Sequence, residues 1–302
     1  MNFAFSDEQE ELRAAVRRFL TEKSPETEVR RLMDTTEGYD PAVWSQMAEQ
    51  LGLQSLTIPE EFGGSGFSYV ELIVVLEEMG AALLCAPFFS TVALAANALL
   101  TSGDDDAKKA HLPGLASGET IATLAITEDN GKWDFSGIEL AATQKGDGWV
   151  LDGHKMFVID GHVANLVVVA ARTGKGVTLF AVEGDAAGLT RTPLPTMDQT
   201  RKQARLEFSG TPAVLIGADA GISCPATKAR SSSQPSGEKS PAEPPAPRNV
   251  AITTRRPDSR VRRSARAGKV RATSAAEPLG RGRSWQSTTW ARRESEAGVA
   301  LA

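Results

Sequence analysis

The spacing of hydrophobic positions changes once along this chain. From Ser6 onward it is helical: Leu12, Val16, Phe19 and Leu20 recur at i, i+4, i+7 and i+8, behind a Ser6/Gln9 pair spaced as a capping box. A second helix is predicted over Glu26–Met33. A third opens at Asp40-Pro41, a cap followed by proline at the first helical position, and closes near Gly52 with Val43, Met47 and Leu51 toward the core. The stretch from Ile58 to Gly66, IPEEFGGSG, is turn chemistry. Ser68 and Glu71 form another capping box, opening a helix that should stop at Gly80, and an apolar helix is expected over Phe89–Leu100.

After Gly118 the period falls from 3.6 to 2. ETIATLAITE, GIELAATQ, GWVLDG, HKMFVIDG, ANLVVVAART, GVTLFAVEG and RKQARLEFSG are short runs rich in β-branched and aromatic residues, which reads as strands. Gly146-Asp147-Gly148 and Asp152-Gly153 lie between runs and are expected as hairpin turns. Such runs, at roughly 8 to 12 residue spacing, point to an antiparallel barrel or sandwich. Helices first and sheet second is an α+β order, with an N-terminal helical domain over 1–118 and a β-domain over 119–217.

From Ile222 neither period survives. Ser, Pro, Ala and Arg dominate, and the 16 Lys plus Arg of residues 222–302 face only 6 Asp plus Glu, whereas residues 1–221 carry 17 against 32. The overall net charge of −5 therefore sums two unlike pieces. A segment so poor in apolar residues cannot offset its ordering entropy, so 218–302 is expected as a disordered basic tail. Its only aromatics, Trp285 and Trp290, are too few for a base-stacking platform, which argues against nucleic acid.

Cys85 and Cys224 show neither a disulfide framework nor metal spacing, and His111, His154 and His162 share none either, so no metal site is assigned. The EFGGSG turn lacks the lysine of a phosphate loop. The start, MNFAFSDEQEELR, has no signal-peptide character, and no apolar run approaches the roughly 18 to 20 residues of a membrane span; a soluble, cytoplasmic protein is expected.

Several landmarks then fall in one order: FSDEQEELR at the start, LTIPEEFGGSG at 56–66, LEEMG at 76–80, LAITED at 124–129, GHKMFVIDGHVANLVVVAART at 153–173 and MDQTRKQARLEF at 197–208. Over roughly residues 3–221 the chain resembles the acyl-CoA dehydrogenase family. That resemblance implies a helical bundle, a β-domain and a second helical bundle, with FAD used to remove two hydrogens from the α and β carbons of an acyl-CoA thioester. The basic tail stands where the third domain is expected. A reading-frame shift in a GC-rich coding sequence would produce so abrupt a change, and a genuine cationic arm is the alternative.

The resemblance also implies site residues. A family segment, an aromatic or small apolar residue followed by V-T-E-P-G-A-G-S-D, is matched by LAITEDNGKWD over Leu124–Asp134. This makes Leu124, Ile126 and Thr127 cofactor-binding positions, with Ile126 and Thr127 donating main-chain or hydroxyl hydrogen bonds to the flavin's pyrimidine edge. Lys132 and Trp133 stand in place of a Gly-Ser pair near flavin phosphate and acyl-CoA. They lose glycine's freedom and one hydroxyl, yet a lysine can contact phosphate and a tryptophan can cover a ring, so both are assigned to substrate. The family's W-I-T-N is matched by Phe157-Val-Ile-Asp160, placing Phe157 against the isoalloxazine and Ile159, without threonine's hydroxyl, at its reactive edge. Periodicity alone reads Phe157 as an inward barrel residue and Thr127 as an ordinary strand residue.

The carboxylate that takes the α-proton sits in the family's third domain, so no catalytic residue is assigned. What is expected is an acyl-CoA dehydrogenase-like flavoprotein of fatty-acid metabolism, impaired as an isolated chain, with exposed apolar patches where the third domain would pack. Electron-transfer flavoprotein is the implied electron acceptor, and a homo- or hetero-oligomer the implied assembly. The alternatives are a dehydrogenase whose base comes from a partner subunit and a non-catalytic partner subunit with a cationic arm.

Overall fold

Both capping boxes are closed in the computed structural model of the chain, which describes residues 4–132 and 134–219. Trp133 and the basic segment from 222 lie outside the described residues. Ser6 Oγ accepts from the Gln9 amide at 3.3 Å and Gln9 Oε1 from the Ser6 amide at 3.0 Å, which starts α1 (Asp7–Lys23). After α2 (Glu26–Met33), Asp40 caps α3 (Pro41–Glu49). The buried side of α3 carries Trp44, whose indole donates to Gly118 O at 2.8 Å, beside Met47, while Val43 and Leu51 are only half-buried. The Ser68/Glu71 box opens α4 (Tyr69–Ala81), which lies along α1. There the buried Glu78 takes both arms of the Arg17 guanidinium at 2.8 and 2.7 Å, a bidentate pairing that fixes helix register. In the glycine turn before α4, a Cβ on Gly64 would meet Ile58 O at 1.8 Å, so only glycine fits.

Phe89–Leu100, expected as one α-helix, is wound in two ways. Phe89–Ala95 is a wide π-helical turn, and α5 (Ala96–Thr101) continues it. The wide turn carries Ser90 and Thr91, whose hydroxyls leave the helix to bond Asp160 Oδ2 at 2.7 Å and the Ala122 amide at 3.1 Å; π-turns of this kind occur where a helix must meet something other than itself. Asp104 caps α6 (Asp105–Ala116). Leu99, Leu112 and Leu115, all at most 1% exposed, then pack against Ala122, Leu166 and Val168 of the sheet. At about 1.5 to 3 kcal/mol per fully buried leucine, these side chains join the helical and strand parts into one body.

Seven strands are present among the described residues: β1 (Ala122–Ala125), β2 (Ala141–Lys145), β3 (Gly148–Ile159), β4 (Leu166–Arg172), β5 (Val177–Glu183), β6 (Leu189–Leu194) and β7 (Gln203–Ile216). Hydrogen bonding runs β4–β5–β7–β3–β2 and returns from β2 to β4 through the pair Ala141↔Arg172, closing a barrel around Leu151, Val167, Phe180 and Leu206. Closure removes the exposed edges an open sheet would present. β6 pairs with β7 alone, an edge position that tolerates Pro193.

Three expectations are corrected. The sheet is mixed: β1 runs parallel to β4, as does the start of β2. Gly146 does turn the β2–β3 hairpin, but Asp152-Gly153 is no turn. β3 passes straight through it with a register shift between Leu151 and Gly153, and a Cβ on Gly153 would meet Leu140 Cδ1 at 2.9 Å. GWVLDG and HKMFVIDG are therefore one strand, and β6 is the strand absent from the expected set.

Candidate functional site

β1 and β2 lie end to end along the same edge of β4: Ala122–Ala125 pair with Leu166–Val169, and Ala141 with Arg172. They act as one strand interrupted by an excursion over residues 126–140. Its neck is tightly held. Glu128, 6% exposed, accepts the Glu139 amide at 2.9 Å and the Leu140 amide at 3.0 Å, while Arg172 Nε donates to Ile138 O at 2.7 Å and Arg172 Nη2 to Phe135 O at 2.8 Å.

The excursion starts with the residues predicted to face the cofactor. Ile126 and Thr127 lie past the end of β1, against β3: the Met156 amide donates to Thr127 O at 2.8 Å, and Lys155 Nζ donates to Ile126 O at 3.0 Å and Glu128 Oε1 at 2.6 Å. The half-buried Thr127 keeps its amide and hydroxyl without partners among the described residues. At the other end of β1, Thr123 Oγ1 donates to Ile159 O at 2.6 Å. Thus β1 and its continuation cross β3 from Ile159 back to Lys155.

Along β3 the pleat is broken. Lys155 is 0% exposed and Phe157 51%, although two residues apart would ordinarily mean one face. Phe157 takes a left-handed φ of +56°, and the β3–β7 register shifts between Lys155 and Val158, so the aromatic ring turns outward. The inward reading of Phe157 from periodicity is overturned by this bulge. A non-glycine aromatic held at positive φ is strained, and such strain clusters at functional sites.

The ring forms one wall of a cleft of about 570 Å³, completed by Leu194, Met197, Asp198, Arg201 and Gln203. A smaller hollow of about 260 Å³ on the helical side is lined by Leu76, Met79, Phe88 and Phe89, and Arg201 lines it too. Nη1 of Arg201 donates to the main chain of Leu84 and Thr200.

Of the expected positions, the fold sets Ile126 and Thr127 against Lys155 and Met156 of β3, next to Phe157, while Ile159 meets Thr123 at the other end of β1. The side chain of Leu124 packs among the residues between helices and sheet, and that of Ile126 toward Ile138, Ala170 and Val177, leaving main chain as what these two can offer a ligand. Lys132 is exposed farther along the excursion, and its amide donates to Asn130 Oδ1 at 3.0 Å. Trp133 is outside the described residues. Lys155, Glu128, Asp160 and Arg201 lie within the segments that carry the family resemblance, but nothing in them marked these four as residues of the site. The first two stand 27 residues apart with no recognisable spacing, and Asp160 is distinguished only by its burial.

Two ionisable groups near the site are displaced. Burial pushes Lys155 down to about 8, against the opposing pull of Glu128. Burial pushes Asp160 up to about 6, although the Ser90 hydroxyl and the charge of Arg201 pull the other way. Elsewhere His154 Nε2 meets Asp129 Oδ2 at 2.7 Å and His162 Nε2 lies 3.3 Å from Glu37 O.

A helical bundle packed on a small closed barrel corresponds to the N-terminal and middle parts of the acyl-CoA dehydrogenase fold. It matches butyryl-CoA dehydrogenase from Megasphaera elsdenii with a TM-score of 0.65 at 26% identity, over 73% of this chain and 61% of that one. The sequence agrees: the acyl-CoA dehydrogenase N-terminal domain matches residues 6–119 and the middle domain residues 123–211, and the chain belongs to this family of FAD-dependent oxidoreductases. It is 32% identical over 200 residues to mitochondrial isovaleryl-CoA dehydrogenase of Pongo abelii, covering 61% of this chain and 46% of that one. It is 32% identical over 217 residues to acyl-CoA dehydrogenase IpdE2 of Mycolicibacterium smegmatis, covering 72% and 56%. The chain thus spans about half the length of the curated relatives it matches. Among the described residues no helix is long and apolar enough to cross a membrane, and no group of three or more His, Cys, Asp or Glu could hold a metal.

Proposed function

We propose that this chain supplies the flavin-facing wall of an acyl-CoA dehydrogenase. The observation that carries the reading is adjacency along β3: the Met156 amide, next to the outward-turned Phe157, bonds Thr127 O, and the amide and hydroxyl of Thr127 have no partner among the described residues. A planar aromatic group with a polar edge fits this pairing: Phe157 offers a face and Thr127, with the main chain of Ile126, offers hydrogen bonds. FAD, when bound, supplies the hydride acceptor for α,β-dehydrogenation of an acyl-CoA thioester. Ile159, without a hydroxyl, would shape the reactive edge by contact alone, Leu124 would contribute main chain, and Lys132 and Trp133 would meet acyl-CoA, the lysine as a point charge for phosphate.

Removing the α-proton needs a positioned carboxylate. Asp160 is turned into the fold, bonded to Ser90, and Glu128 is bound by two amides and Lys155, so neither is free for that role. Asp198, which lines the cleft beside Phe157, spends one oxygen on the Thr200 amide and hydroxyl. In the resembled family the base lies in the third domain, so we take it to come from the rest of the protein or from a partner subunit, and the chain alone is expected to be impaired. Electron-transfer flavoprotein would accept the electrons, in a homo- or hetero-oligomer. The decisive measurement is the visible absorbance of the purified chain. A flavin band supports the reading, with dye reduction on adding acyl-CoA reporting whether the base is also present; a colourless protein that takes up no added FAD refutes it.

A second reading rests on the charge of residues 222–302: a non-catalytic partner subunit using a cationic arm. It predicts salt-sensitive binding to an acidic partner subunit without flavin turnover.

A further inference from the structure

The Lys155–Glu128 pair is the most buried ion pair among the described residues, at 0% and 7% side-chain exposure. Its surroundings are unusual for a pair that merely stabilises. Lys155 divides its ammonium between Glu128 and the main-chain oxygen of Ile126, and Glu128 uses both oxygens to hold the two amides at the far side of the neck. One charge cluster therefore ties the first residues of the excursion to its last residues and to β3. It sits directly behind Thr127 and two residues before Phe157 along β3. A buried pair of this kind contributes little net stability against a well-packed apolar substitute, so geometry is the property it can set.

We propose that Lys155 and Glu128 are positioning residues, holding the main chain of Ile126–Thr127 at a fixed offset from the Phe157 ring so that the site is preformed for its cofactor. Neither touches the ligand; both act through the segment they clamp. This inference rests on the flavin reading above, and it adds to it two residues that set affinity rather than make contact.

The test uses the full 302-residue chain and two variants, K155M and the double variant E128Q/K155M. The double variant leaves no charge unpaired, and its glutamine can still accept one of the two neck amides through Oε1 while its NH2 group faces the other, so it remains informative if K155M alone fails to fold. FAD itself is the titrant, followed by quenching of its fluorescence, with hydrogen exchange measured over residues 124–128, 138–141 and 166–171. The expected result is faster exchange in the first two stretches, unchanged exchange in the third, and FAD binding weakened about tenfold or more in the double variant, the scale typical of supporting residues behind a site. A double variant that binds FAD as the wild type does would show that the pair positions nothing, and unchanged exchange at 124–128 would show that other bonds hold the segment. Either result overturns the inference while leaving the flavin reading intact. A wild-type chain that takes up no FAD overturns the flavin reading instead, and the exchange comparison then still decides whether the pair is the clamp.

Discussion

Two regions of this protein each bury a carboxylate, and they solve the problem in opposite ways. At the neck of the barrel excursion, Glu128 stays within reach of a buried ammonium and two amides. At the seam between the π-turn and β3, Asp160 has one hydroxyl donor and the more distant Arg201, and it retains its proton up to a pH of about 6. The difference follows from the cost of charge in a dry interior: with a full set of donors a carboxylate can remain ionised, and with one neutral donor it is cheaper to keep the proton. A fixed charge cluster suits a clamp, and a proton-holding acid suits a joint between two layers.

The largest effect expected from this contrast comes from removing one partner at the neck. In K155M the Glu128 carboxylate is left buried with its amides but no cation, a change that typically costs about 3 to 5 kcal/mol. Urea unfolding should show that loss, and E128Q/K155M should recover part of it, since its glutamine accepts only one of the two neck amides. A K155M chain within about 1 kcal/mol of wild type would mean that Glu128 is not an uncompensated buried charge there, and the contrast with Asp160 would collapse.

The seam should respond to pH between about 3.8 and 6, below the range in which Lys155 of the neck, pushed down to about 8, titrates. The Asp160 carboxyl is raised from its ordinary 3.8 to about 6, so the folded chain binds this proton more tightly than the unfolded chain. The stability linked to it is fully present below about pH 3.8 and is lost as pH rises through about 6, a total on the order of 3 kcal/mol. D160N cannot titrate, can accept the Ser90 hydroxyl, and tolerates the φ of +54° found at this position, since asparagine enters the left-handed region readily. It should gain about 1 to 3 kcal/mol over wild type at pH 7.5 and little at pH 4. Equal gains at both pH values would show that the aspartate is not holding a proton.

The contrast also marks what the sequence made legible. Caps, turns and periods of 3.6 or 2 depend on neighbours along the chain, so the Ser6/Gln9 and Ser68/Glu71 boxes, the α+β order and the Gly146 turn could be read directly. Gly153 was misread because a glycine that admits a close neighbour looks, in sequence, like a glycine that turns; the neighbour, Leu140, stands 13 residues away. Phe157 was open to the wrong face because a single bulge inverts the alternation on which the face is read. Leu124, Ile126, Thr127, Phe157 and Ile159 came from resemblance, which carries contact positions but not the groups behind them. Glu128, Lys155 and Asp160 stood inside matched segments and Ser90 outside them, but none was marked by its neighbours along the chain: their meaning lies in burial and in partners 27 and 70 residues distant.

The smallest expected effect tests whether the two ends of the β1 crossing are alike. At the Glu128 end the segment is tied to β3 by charge, and at the other by one neutral bond, Thr123 Oγ1 to Ile159 O at 2.6 Å, inside a site where Thr123 is 0% exposed. T123V keeps shape and removes that donor from the Ile159 carbonyl. The loss should be about 1 kcal/mol, or about 2 to 4 °C in thermal midpoint for a folded unit of this size. Because Ile159 would loosen while Ile126–Thr127 stays clamped, FAD affinity should fall less than in E128Q/K155M. If T123V instead weakens binding as much as the double variant, the neutral tie at Ile159 governs the site as strongly as the charged clamp, and the neck loses its special standing.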